Sequence, residues 1–292
     1  MTNQQLETVA RQIRRDIMKM ITKAQSGHAG GSLGMTDIFT ALFLKAMKHN
    51  PKTFPSTENV DLFFLSNGHI APVWYATLAR TGYFPLAELG TLRKLHTRLQ
   101  GHPATKEGLP GIRIASGSLG QGLSAAIGAA IAFKLDKRED YVFCLMGDGE
   151  CNEGQIWEAA MNGPHQKVDN LIAFVDRNRL QIDGSTEEVK KLDPFPEKWE
   201  AFGWNVLEIN GHNFEEIFAA IDKAKSNRGT GIPTVIIANT VMSHGVAFME
   251  NQSKWHGTPP TKQMEEDALK LLAPTEYGDY DEPDAKVVSI GF

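Results

Sequence analysis

The sequence predicts an α/β protein built on an open, mainly parallel sheet with helices on both faces. Three observations carry that prediction. Four short apolar runs, "DLFFLS", "YVFCLM", "NLIAFVD" and "PTVIIAN", read as buried strands, with "WNVLEI" as a fifth. Stretches of helical periodicity separate them, and strands alternating with helices build parallel sheets covered on both sides. "YVFCLM" then runs straight into "GDGECNEG", a glycine-acid-glycine turn at a strand's carboxyl end, where open parallel sheets bind ligands.

The elements follow in order. Leu6, Val9, Ile13, Ile17 and Ile21 recur at three- and four-residue steps, which predicts an amphipathic helix over the first two dozen residues. "SGHAGGSLG" reads as a glycine-rich loop that ends it, and "TDIFTALFLKAM" as a second helix with Thr36 as N-cap. Further helices are expected in "SLGQGLSAAIGAAIAFKL", from Glu153 to His165, and in "NFEEIFAAIDKAK". Gly120, Gly122, Ala125, Ala126, Gly128 and Ala129 let the first of these approach its neighbours closely. Without a repeat or linker, residues 1–272 are expected to form one domain. Residues 273–292, acidic with scattered tyrosines, read as a tail that is either loose or packed on another subunit.

Composition narrows the function. With 292 residues, 41% apolar and 22% charged, the chain has the make-up of a soluble globular protein. A formal net charge of −5 without a long Lys/Arg run argues against nucleic acid or an anionic membrane as principal partner. Two cysteines, Cys144 and Cys151, are too few for a disulfide framework, and the polar N-terminus is unlike a signal peptide. No apolar run approaches the roughly 20 residues that span a bilayer. The expectation is a cytoplasmic protein.

The turn at 147–149 asks for more than a bend. Glycines let backbone approach a phosphate at the following helix's N-terminus, but a carboxylate there repels phosphate unless a divalent cation lies between them. Asp148 is therefore read as a magnesium ligand. "NLIAFVDRNRLQIDG" supplies the second: a strand, then Asp176 and Asn178, 30 positions beyond Asp148. That interval fits one helix and one strand, which brings two strand ends together. Nine histidines occur. Four of them, His28, His69, His102 and His256, lie in the glycine-containing turns "SGHAGG", "NGHI", "GHPA" and "WHGT". Imidazoles gathered from four loops suit a polyhydroxylated substrate, since each donates, accepts and exchanges protons near neutral pH. A zinc site is the rival, and the spacings lack a close ligand pair.

These segments resemble the thiamine diphosphate enzymes in their transketolase form. "GDGECNEG" followed by "DRNRLQIDG" is similar to the family's diphosphate-binding motif. "KAQSGHAGGSLG", "LSNGHIAPVWYATL", "GHPATKEGLPGIRIASGSLGQGLSAAIGAA" and "SKWHGTPP" resemble transketolase segments in the family's order. Ala29 stands where a proline is usual, and "RNR" replaces paired asparagines.

The resemblance implies the fold's diphosphate-binding domain, with thiamine diphosphate and magnesium (or calcium or manganese in its place) as cofactors. It implies Asp148, Asn178 and the Leu180 carbonyl as metal ligands, and Gly117, Gly147, Gly149 and His69 near the diphosphate. Leu119 and Ile182 are implied around the thiazolium ring, though plain core residues read the same way. His102 is implied to meet the donor's terminal hydroxyl, with His28 and His256 at the entrance. Glu153 and Glu158 are implied in a subunit-interface cluster near the cofactor, against the simpler reading of favourable charge at a helix start.

In the family a glutamate from a second, pyrimidine-binding domain on another subunit completes the site. This chain resembles the N-terminal half only. The expected function is transfer of a two-carbon ketol unit between sugar phosphates, in a heterotetramer of two such chains with two complementary subunits. The alternatives are the α subunit of a 2-oxo acid dehydrogenase, which the "SGH", "NGH" and "GHP" loops disfavour, and a noncatalytic regulator retaining the fold.

Overall fold

Runs of β-branched, aromatic and leucine residues extend as strands and bury both faces when flanked by helices. All five expected runs extend as strands: β1 (Leu62–Leu65), β2 (Val142–Gly147), β3 (Leu171–Arg177), β6 (Asn205–Asn210) and β7 (Thr234–Asn239). They form one parallel sheet in the order β1-β2-β3-β7-β6. Every residue of β1 and β3 is buried, whereas the edge strand β6 is only partly covered. A two-stranded antiparallel hairpin, β4 (Leu180–Gln181) and β5 (Gly184–Ser185), follows β3.

The computed structural model describes residues 1–289. These group into two compact units. The sheet belongs to the unit made of Thr57–Gly68 and Ser116–Thr240. Its helices are α5 (Gly122–Leu135), α6 (Gly154–His165), α7 (Thr186–Val189), α8 (Phe195–Ala201) and α9 (Phe214–Ser226). α5 packs against β1, β2 and β3, and α9 against β3 and β6. Asn213 caps α9 by accepting from the amides of Glu215 and Glu216, as Asn does at helix starts.

The other unit is helical and draws on Met1–Ser56, His69–Ala115 and the chain from Val241 onward. α1 (Asn3–Ala24) buries Leu6, Val9, Ile13, Ile17 and Ile21 completely, the stripe its periodicity predicts. A reciprocal box of Thr2 and Gln5 opens it. α2 (Ala29–Gly34), α3 (Thr36–Ala41), α4 (Ala71–Arg80) and α10 (Lys262–Leu271) complete the set.

One local expectation is corrected here. "AGGSLG" is helical, not a loop, and Thr36 is no cap: its hydroxyl donates to the Ser32 carbonyl at 2.9 Å, inside the helical run. The glycines serve packing instead. A Cβ on Gly30 would lie 2.7 Å from Met242 Cγ, and one on Gly34 would lie 3.0 Å from the Val241 carbonyl oxygen.

The tail is held by this chain as far as Val288. Arg80, fully buried, forms a fork onto Asp16 at 2.6 and 2.8 Å. It also donates to the carbonyls of Tyr277, Gly278 and Lys286. The Val288 amide closes the arrangement on the Arg80 carbonyl at 2.7 Å. Asp279 adds pairs with Arg15 and Lys19.

Removing one partner of a buried ion pair leaves the other charge uncompensated. Arg80→Met is therefore expected to destabilise the chain by about 3–5 kcal/mol in denaturant unfolding, and to expose the amides of 277–288 to rapid hydrogen exchange. Unchanged protection of those amides would show that Arg80 does not anchor the tail.

Candidate active site

The register of β2 on β3 sets a candidate site in the sheet unit. Gly147 lies opposite Asp176, so the chain leaves the two strands side by side, and the Asp148 amide donates to the Asp176 carbonyl at 3.1 Å. Both side chains are buried at 2% exposure. Asp148 accepts from the Gly149 and Arg179 amides, each at 2.7 Å, and meets the Arg177 guanidinium at 3.4 Å. Burial pushes its carboxyl up to about 6, against the pull of those amides and of Arg177.

Asp176 is pushed up to about 7, by burial and then by the neighbouring Asp148 charge. The Thr240 hydroxyl and the Asn178 amide nitrogen donate to it. That second bond orients Asn178, whose side-chain oxygen accepts the Leu180 amide at 2.9 Å. A carboxylate and an amide oxygen beside a second buried acid form a hard-oxygen donor set with excess negative charge.

The turn itself is held by Glu150, a residue of the motif whose part in it shows only in three dimensions. Its buried carboxylate accepts from the amides of Gly147 at 3.0 Å and Gly120 at 2.7 Å, and from the Ser66 hydroxyl at 2.5 Å. Ser66 in turn accepts the Gly122 amide. One side chain thus ties the end of β1, the loop before α5 and the glycine turn together. At Gly149 a Cβ would lie 3.0 Å from Gln181 Cγ, a tight approach to that side chain. Gly117, with φ of 153°, adopts a backbone that side chains disfavour.

The remaining residues of this unit differ in setting. The Asn67 side-chain oxygen is buried without a partner, and the same amide group lies 3.6 Å from where a Gly147 Cβ would stand. Leu119 is half-buried and Ile182, on the β4–β5 turn, is 66% exposed. Neither is a core residue. α6 starts where expected, at Gly154, after a 3-10 turn at Gly149–Asn152. Glu153 occupies its N-cap, exposed and without a side-chain cap bond, and Glu158 is exposed on the first turns.

A separate cluster lies in the helical unit. His28, His69, His102 and His256 come together: ring centroids are 5.0 Å apart for His28–His69, 6.3 Å for His28–His102, 5.7 Å for His28–His256 and 5.1 Å for His69–His256. Burial depresses the basicity of all four, joined by neighbouring imidazoles at His28 and His69 and by Arg93 at His28 and His102. His28 falls to about 4 and His69 well below the ordinary imidazole value; His102 and His256 are lowered too. All four are neutral at pH 7, each with one donor and one acceptor nitrogen. Nδ1 of His28 and of His256 is buried without a partner. Among the described residues, no three of these side chains bring ligand atoms within reach of a shared metal ion. His49 is by contrast a satisfied buried imidazole, bonded to the Phe43 carbonyl and the Tyr83 hydroxyl.

Comparison with known proteins identifies the family. Residues 5–278 match the family model described as transketolase, thiamine diphosphate binding domain. The chain belongs to the transketolase family. It is 42% identical over 91% of its length to the 6-deoxy-6-sulfo-D-fructose transketolase subunit SqwG of Clostridium sp. (strain MSTE9), covering 96% of that protein. It is 40% identical over 92% of its length to an apulose-4-phosphate transketolase subunit of Phocaeicola vulgatus, covering 94% of that one. Among solved structures, the transketolase of Campylobacter jejuni superposes with a TM-score of 0.88 at 34% identity; that match covers 97% of this chain and 44% of the other. The chain thus matches those transketolase subunits over nearly their whole length, and less than half of the single-chain enzyme.

The buried imidazoles of this transketolase chain impose a pH dependence. In the unfolded chain His28 takes up a proton near its ordinary pKa of about 6.5, but in the folded chain only near 4. Between those values the unfolded state binds more protons, so the histidine's contribution rises with pH and is lost as pH falls. Relative to wild type, His28→Gln is expected to lose up to about 3 kcal/mol less stability between pH 7 and pH 4. Parallel stability–pH profiles for the two proteins would show that His28 is not held neutral by the fold.

Proposed function

We propose that this chain is the diphosphate-holding subunit of a two-subunit transketolase, which transfers a two-carbon ketol unit from a ketose bearing an anionic group to an aldose. The observation that carries the proposal is the pair of strand ends that sets buried Asp148 beside Asn178 at a glycine turn. The relatives' names support the substrate class: 6-deoxy-6-sulfo-D-fructose carries a sulfonate and apulose 4-phosphate a phosphate.

The donor set fits magnesium and a diphosphate. Each Asp148 oxygen and the Asn178 side-chain oxygen already accept amide bonds, which leaves further lone pairs for a cation. The Leu180 carbonyl is the third ligand. Calcium and manganese offer the same hard-oxygen preference. Gly117, Gly147 and Gly149 present backbone rather than side chains to the diphosphate, and Leu119 and Ile182 supply apolar contact for the ring. Thiamine diphosphate, when bound, supplies the carbon–carbon bond chemistry that no side chain here performs.

The chain's own histidines hold the sugar and its protons. His28, His102 and His256 offer neutral nitrogens to hydroxyls, with Nδ1 of His28 and His256 free to do so, and His69 serves the diphosphate side. Glu153, exposed at the start of α6, faces the interface with Glu158. The complementary subunit supplies the pyrimidine-binding domain and its glutamate, in a cytoplasmic heterotetramer of two copies of each chain. No helix among the described residues is long and apolar enough to cross a membrane.

Two outcomes test this. Asp148→Ala and Asn178→Ala should each weaken magnesium-dependent thiamine diphosphate binding by well over the roughly 10–100-fold typical of losing an outer-shell partner; calorimetry that finds unchanged affinity in both would remove the pair from the metal site. The purified chain with saturating cofactor, magnesium, ketose phosphate and aldehyde acceptor should show no ketol transfer until the complementary subunit is added. Robust turnover by the chain alone would overturn the two-subunit reading.

A further inference from the structure

Arg93 lies in none of the glycine-histidine motifs, yet it connects two of them. Its Nη1 donates to the Ser26 hydroxyl at 2.9 Å, two residues before His28, and its Nη2 donates to the Gly101 carbonyl at 3.2 Å, one residue before His102. The guanidinium packs closely on Gly101: a Cβ there would lie 2.7 Å from Arg93 Cζ. The planar guanidinium suits a two-point bridge, because its fork of donors is pre-set and little rotamer freedom is lost per bond.

The arginine is poorly placed for stability alone. Its backbone is left-handed, with φ of 57°, a region that side-chain-bearing residues enter at a cost. Its Nε is buried without a partner, and burial lowers the basicity of the whole group. Strain and an unpaired buried donor at one residue mark a position retained for something other than packing. The amide of Arg93 bonds to the Leu99 carbonyl at 2.8 Å, which fixes the segment that leads into the His102 turn.

We propose that Arg93 is the positioning residue of the imidazole cluster, tying the His28 loop to the His102 loop and setting the spacing of those two rings. Its charge has a selective consequence. The charged or titratable groups acting on His28 are His256, Arg93 and His102; on His102 it is Arg93; on His69 they are His256, His28 and His102; His256 responds to burial alone. A fixed cation beside His28 and His102 disfavours their protonation and keeps them available as neutral donor–acceptors. The catalytic benefit rests on the transketolase reading above, but the positioning does not.

The test is an NMR titration of the full chain with ring-labelled histidine, comparing wild type with Arg93→Met and Arg93→Lys. In Arg93→Met, His28 and His102 should titrate at higher pH than in wild type, while His256 and the structural His49 stay where they are. Arg93→Lys keeps the charge but loses the planar fork. It should retain the low titration points while the Gly101 and His102 amides gain hydrogen-exchange rate. In the enzyme reconstituted with its complementary subunit, Arg93→Met should lower kcat by about 10²-fold, the scale of a small misplacement, with thiamine diphosphate affinity unchanged.

Unshifted His28 and His102 in Arg93→Met would overturn the proposal, as would a shift shared equally by His49, which would mark general loss of structure. Should Arg93→Met not fold, unchanged exchange in Arg93→Lys would overturn it independently. Because the titration needs neither partner nor substrate, its result stands whether or not ketol transfer is found.

Discussion

Two carboxylates buried at adjacent strand ends constrain the sheet unit. Parallel pairing of β2 with β3 places Asp148 and Asp176 where both are almost completely removed from water, and neither gains a full counter-charge from the other's surroundings. Both are pushed toward the protonated form. Arg177 offsets part of this, but it is shared with Thr186, Glu187 and Asp193. The divalent cation proposed for this site would resolve the conflict, because it would supply the missing charge and accept oxygen ligands from the same atoms. The glycine turn, the Glu150 ties and the hydrogen bond to Asn178 fix the positions of these oxygens.

The helical unit solves the opposite problem. Four imidazoles within ring-contact distance would repel one another if protonated, and burial makes that form costlier still. They therefore remain neutral, which suits hydroxyl recognition near neutral pH. Rigidity matters here, since donor–acceptor nitrogens act only at set distances from their targets. The unit provides it through α1, which binds Asp37 through Arg14, Arg80 through Asp16, and Asp279 through Arg15. The same helix that anchors α3 and α4 also anchors the tail.

Much of this is legible in the amino-acid order. The five strands are short apolar runs that cannot be mistaken for solvated loops, and the stripe of α1 repeats at its own pitch. The Asp148 and Asn178 positions are visible because strand, acid and glycine follow one another locally. The gathering of four histidines is legible only through the glycines beside them. Other features depend on residues far apart in the chain. Glu150 finds Gly120 and Ser66, 30 and 84 positions away, and Arg93 finds Ser26 67 positions away. "AGGSLG" misleads because glycine there permits close packing in a helix instead of breaking one. The division into two units is hidden as well, since each is assembled from separated stretches.

The most direct test of the central claim is an anomalous difference map of the chain crystallised with manganese and thiamine diphosphate. The account predicts a single strong peak at about 2.2 Å from an Asp148 carboxylate oxygen, the Asn178 side-chain oxygen and the Leu180 carbonyl, with diphosphate oxygens completing the shell. A diphosphate bound at the glycine turn with the manganese peak elsewhere, or held by Arg177 alone, would contradict it.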